Sequence, residues 1–242
     1  MSVAGIFEFV DSEKQILVST DAAGRVWLDA RTVTVTNDDV TECASPAECT
    51  DTAYVLEPWR WTSSFHYYFN GGSTPSYLLK SDVSSDIFQA TTNIISARNN
   101  CGRADYIDAS YVYEGYTTRW ANITGTPSCA TPDGYSVTSF GTQPAGNLAN
   151  TCTWYNSSGT ASESDTVINN TGVSWFTGVT PAGCTTKYSI NDVMTHERGH
   201  TYGLNHPGSC HANLTMYASE GPCTLRNTTL GLGDMLGLGV LY

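Results

Sequence analysis

Apolar residues recur at two different periods along this chain. In residues 82–99 the positions Val83, Ile87, Ala90, Ile94 and Ile95 fall three and four apart, the spacing of one face of an α-helix, and predict a long amphipathic helix there. The stretch "WRWTSSFHYYFN" alternates aromatic and polar residues and predicts a strand. Before it, "GIFEFV", "KQILVST", "RVWLDA" and "TVTVT" are short strand-like runs separated by Asp, Gly and Asn turn signals, followed by a linker-like segment "NDDVTECASPAECTD". After the helix, strand-like pieces lie around residues 106–113, 135–140, 151–155 and 165–169 among Gly- and Ser-rich loops. A second helix is predicted in "YSINDVMTHERGHTYG", where Ser189 and Asp192 resemble a capping box and Gly203 is a natural stop. Strand, helix, several strands and then helices describe an α+β (α/β layered) domain over residues 54–242, preceded by a small β-rich segment, 1–53, of no evident role.

Composition narrows the function. The formal net charge is −12 and only three lysines occur, Lys14, Lys80 and Lys187, so no basic face exists to neutralise nucleic acid or an anionic membrane. Eight cysteines without a CxxC pair point to disulfides in an oxidising compartment. The N-terminus "MSVAGIFEFVDSEK" lacks the basic and apolar regions of a signal peptide, so the expectation is a secreted chain that begins after its export signal. The apolar tail "LGLGDMLGLGVLY" is too short for a membrane span and contains Asp234.

The chemistry is concentrated in "VMTHERGHTYGLNHPGSC", which holds three of the five histidines. His196 and His200 are four residues apart on the predicted helix and project from one face towards a common ion. Gly203 permits the turn that could return His206 as a third ligand, leaving a fourth position for water. Glu197 lies beside the first ligand, placed to act as general base and acid rather than as a ligand. The pattern HExxHxxGxxH should arise by chance on the order of once in 10⁵ chains of this length, so a coincidence of surface residues is a poor explanation. The expected chemistry is one catalytic Zn²⁺ per chain that acidifies a water for attack on a peptide carbonyl.

Through this motif the chain resembles the metzincin zinc metalloproteases. Met216, ten residues after His206, stands where that family has its Met-turn, an apolar floor under the metal. The ending "RNTTLGLGDMLGLGVLY" and the stretch "DTVINNTGVSWFTG" are similar to the last helix and the pre-helix strand and Trp loop of the matrixin (matrix metalloprotease-like) branch. The resemblance covers residues 188–242, extends back to about 54 and is absent from 1–53. It implies a metzincin-type zincin domain with a twisted mixed sheet, a long backing helix, an active-site helix and a C-terminal helix, and a secreted metalloendopeptidase function. The rival is a metzincin-fold module that binds peptide without cutting it. Structural Ca²⁺ is compatible with the family but no motif places it, and the second zinc loop of animal matrixins lacks its ligands here, with only His66 and His211 remaining.

Cys210 and Cys223 flank Met216 and are expected to pair across it; Cys43 and Cys49 are expected to close a local loop. Protein or peptide substrate is expected to add as a strand to a sheet edge near "TCTWYN", residues 151–156. Nothing calls for an oligomer, so the default is a monomer.

Overall fold

The computed structural model describes residues 44–242 and, as backbone alone, residues 3–11, 18–20 and 26–28. Its centre is a seven-stranded mixed sheet. The strands are β1 (Val3–Asp11), β2 (Phe65–Phe69), β3 (Tyr111–Tyr116), β4 (Ser136–Gly141), β5 (Asn147–Tyr155), β6 (Ala161–Asn169) and β7 (Ser219–Glu220), in the order β7-β1-β5-β6-β4-β2-β3. β3, β2, β4 and β6 run parallel to one another, β5 is antiparallel to β6, and β1 pairs antiparallel with β5 and parallel with β7. Among the described residues three α-helices, α1 (Lys80–Ile95), α2 (Ile190–Thr201) and α3 (Leu232–Leu241), complete the α+β architecture. The predicted strand "TVTVT" falls outside the described residues.

The alternation in "FHYYF" becomes β2, with Phe65, Tyr67 and Phe69 fully buried and His66 exposed. On α1 the predicted stripe is inside: Val83, Ile87, Ala90 and Ile94 are inaccessible to solvent. The helix stops at Ile95, short of the predicted residue 99, because the chain takes a Schellman turn there. Ala97 adopts a left-handed φ of 47°, its N–H donates to the Ile94 carbonyl at 2.9 Å, and the Arg98 N–H donates to the Asn93 carbonyl at 2.9 Å. From the same helix Asn93 Nδ2 reaches Thr195 Oγ1 at 3.0 Å and Asn191 Oδ1 at 3.1 Å, fixing α1 against α2.

The layer between α2 and the sheet is rich in hydroxyl groups. Thr151 and Thr166 meet across β5 and β6 at 3.0 Å, Thr153 and Ser164 at 2.9 Å, and Ser164 Oγ donates to Thr201 Oγ1 on α2 at 3.1 Å. Into this layer α2 pushes Arg198, which is wholly buried. Its Nε donates to Thr91 at 3.1 Å and its Nη2 to Thr138 at 2.8 Å, while the guanidinium lies 4.6 Å from the Tyr67 ring centre and 5.3 Å from that of Phe65. Burial pulls its pKa below the usual arginine value.

Both expected disulfides are corrected. Cys223 bonds Cys184 rather than Cys210: its backbone N–H donates to the Lys187 carbonyl at 2.8 Å, which docks the chain beside the segment leading into α2. Cys210 is in a disulfide as well. Cys49 bonds Cys101 rather than Cys43: the Glu48 carbonyl accepts from the Leu232 N–H at 2.8 Å, which carries the 47–51 turn over the start of α3 to where Cys101 follows α1. Cys43 itself lies outside the described residues. Cys129 and Cys152 form the remaining described pair.

Because Arg198 is held by hydroxyls and rings rather than by a carboxylate, its shape should matter more than its charge. Arg198→Ala should cost about 3 kcal/mol or more through the cavity left behind, whereas Arg198→Met should cost under about 2 kcal/mol because an apolar chain of similar length avoids burying a cation. Urea unfolding of the two variants checks this, and equal losses would show that the charge dominates.

Candidate metal centre

The helix α2 begins where Ser189 Oγ accepts the Asp192 N–H at 3.2 Å, as its sequence predicts. It ends at Thr201, and the chain turns away at Gly203, whose φ of 90° is left-handed and whose missing side chain matters, since a Cβ would lie 2.5 Å from the Trp59 carbonyl oxygen. Beyond the turn Leu204–Asn205 pair antiparallel with Val55–Leu56, and this short ladder delivers His206 back towards α2.

The result is a triangle of imidazoles. Nε2 of His196 and of His200 lie 3.0 Å apart, and each is 3.1 Å from Nε2 of His206. His196 Nδ1 donates to the Thr215 carbonyl at 2.7 Å and His200 Nδ1 to the Leu204 carbonyl at 2.9 Å. A carbonyl can only accept, so these contacts put the hydrogen on Nδ1 and leave the Nε2 lone pairs facing one another. Burial, with the neighbouring imidazoles, holds His196 and His200 well below the ordinary histidine pKa, and burial lowers His206 to about 4. Three neutral nitrogens at this separation fit a tetrahedral zinc, whose ligands at about 2.0–2.1 Å stand roughly 3.3 Å apart. The group could hold a metal ion.

Glu197 points from the same helix towards β5. Thr151 Oγ1 donates to its Oε2 at 2.5 Å, while Oε1 is buried with no hydrogen-bond partner. Burial raises its pKa to about 8, opposed by the Thr151 hydrogen bond and by the charge of Arg198.

A support links this helix to the C-terminus. Met216 packs under Gly199: a Cβ on that glycine would stand 2.2 Å from the methionine sulfur. Asp234, in the first turn of α3, accepts from the backbone N–H of Thr215 at 2.8 Å, of Met216 at 3.2 Å and of Gly231 at 2.9 Å. The peptide unit whose Met216 N–H is held by Asp234 also carries the Thr215 carbonyl that accepts from His196, so α3 orients a histidine through one peptide unit. A second buried group, which sequence reasoning missed, sits by the start of α2. Asp192 is pushed up by burial and then by Glu220, while Glu220 accepts from Arg226 Nη2 at 3.2 Å and also from Asn227. No spacing rule connects these four residues; their partnership depends on how the loop after Met216 folds back. His66 and His211 lie elsewhere, paired with Glu114 at 2.6 Å and Asp51 at 2.9 Å.

Gly199→Ala should displace the Met216 side chain. An unfolding midpoint corresponding to a loss of about 1–3 kcal/mol is expected in metal-free protein, together with weaker metal retention. Unchanged stability and retention would show that Met216 moves aside freely and is no support for the helix.

Comparison with known proteins agrees with this geometry. A family model described as Peptidase M66 matches residues 138–223, a span that holds most of β4, all of β5, β6 and α2, the three histidines of the triangle and Met216. No curated protein matches the chain. The matched third of the chain is thus similar to a peptidase family, and that similarity, with the histidine triangle at its centre, supports a metallopeptidase-type function.

Proposed function

We propose that this chain is a secreted, zinc-dependent metalloendopeptidase of the metzincin type, similar in its motif to the matrixin branch. The observation that carries the reading is the histidine triangle, three Nε2 atoms within 3.1 Å of one another, two of them on a helix that also buries the orphaned Glu197 Oε1. His196, His200 and His206 would hold the ion, with Met216 as the floor beneath them. Zinc bound there supplies Lewis-acid chemistry: it acidifies a water to a pKa of about 7 and polarises a carbonyl.

The chain's own residues do the rest. Thr151 fixes one oxygen of Glu197 and leaves the other to take the proton as the water oxygen adds to the peptide carbonyl carbon. Glu197 then returns that proton to the nitrogen as the C–N bond breaks, so no covalent acyl-enzyme forms. Substrate lies extended along β5, whose Thr151 brings the sheet to the catalytic carboxylate. Secretion is supported by the disulfides at Cys49–Cys101, Cys129–Cys152 and Cys184–Cys223; among the described residues no helix is long and apolar enough to cross a membrane.

Glu197→Gln separates the protease from a module that only binds. The amide keeps the shape and leaves the three histidines intact, so metal content and peptide affinity should persist while hydrolysis falls by about 10²- to 10⁴-fold. Equal hydrolysis by wild type and Glu197→Gln would refute the role given to this residue.

A further inference from the structure

An extended substrate needs a free strand position beside β5, and that position is taken. Along its outer edge β5 pairs antiparallel with β1 over nearly its whole length, from Val3 opposite Tyr155 to Phe9 opposite Ala149. On its other side β1 runs parallel to β7, with Val10 opposite Ser219 and Asp11 opposite Glu220. β7 belongs to the segment that follows Met216, so the two walls holding β1 are the strand that carries Thr151 and the loop beyond the methionine turn. The register places the backbone of Phe7 opposite Thr151, the residue that donates to Glu197, and α2 is among the neighbours of β1. An extended backbone threaded between two strands, crossing at the residue that touches the catalytic carboxylate, occupies the path a peptide substrate would need.

We propose that Val3–Asp11 is an internal occupant of the peptide cleft, a strand the chain must release before it can act on another peptide. The proposal rests on the peptidase reading of the site. Backbone ladder bonds, which need no particular side chain, would give the tethered strand its hold. Tethering makes its binding intramolecular, so that even a weak strand competes with free substrate. The cleft would open when the strand is cut away, displaced by a stronger-binding peptide, or paired with another surface.

The test compares the full chain with Phe7→Pro/Glu8→Pro and with a deletion of residues 1–11. Successive strand residues point their N–H groups to opposite sides, so the double proline removes one ladder donor on each side, whichever residue faces β5. Three readouts are needed: amide hydrogen exchange of residues 147–155, hydrolysis of an unbiased peptide library, and binding of the labelled synthetic peptide VAGIFEFVD. The expected result is faster exchange along β5, kcat/KM higher by at least about tenfold as the competent fraction rises, and peptide binding that is tight in the deletion and much weaker in the full chain. The deletion serves where the prolines disturb folding, with metal content showing that the body of the protein is intact. Unchanged exchange and unchanged rate would overturn the proposal. So would faster exchange with no gain in rate in a form that hydrolyses peptides, since β1 would then be an ordinary sheet strand. If no form hydrolyses peptides but exchange and VAGIFEFVD binding change as expected, the occupancy stands and the peptidase reading fails.

Discussion

Three unprotonated imidazole nitrogens held 3.0–3.1 Å apart repel one another, and the surrounding structure is organised to keep them there. A cation that shared the three lone pairs would relieve this repulsion, and metal binding would then favour the folded arrangement. Each element near the site supplies part of the restraint. α2 sets His196 and His200 one turn apart, Gly203 bends the chain so that His206 returns, and two backbone carbonyls, of Thr215 and Leu204, set the tautomers. α3 reaches the site indirectly, through Asp234 and the Thr215–Met216 peptide.

The same economy explains the unusual polarity of the interior. With only 14% charged residues, the chain spends several of them inside: Arg198, Glu197, Asp165, Asp192, Glu220 and Asp234 are all buried. Desolvation raises the carboxyl pKa values and lowers that of the arginine, and hydroxyls and backbone N–H groups supply the compensation. The Ser and Thr residues that stand in for surface charge in the composition therefore also line the layer between sheet and helix, where Thr151 meets Glu197.

How much of this was readable in the sequence depends on distance along the chain. The α1 stripe, the aromatic alternation of β2, the Ser189 cap and the Gly203 stop are local, and each follows from a period or a turn preference. The histidine motif is readable because a helix brings residues four apart together. Thr151 is 46 residues from Glu197, and Asp234 is 19 from Thr215; neither contact leaves a mark in spacing. The disulfides fail for the same reason. Cys223 is near Cys210 in sequence, but the hydrogen bond from its N–H to Lys187 decides where it goes. The helix end at Ile95 was obscured differently, by an alanine in the left-handed position that usually takes glycine.

If the triangle holds one catalytic zinc, as proposed, the ion and its ligands are directly observable. Zinc-edge X-ray absorption on the intact chain tests it directly. The expected result is one zinc per chain, three imidazole nitrogens at about 2.0–2.1 Å and a further oxygen, with no sulfur in the coordination sphere. A sulfur scatterer near 2.3 Å, fewer than three imidazoles, or a chain that takes up no zinc at all would contradict it.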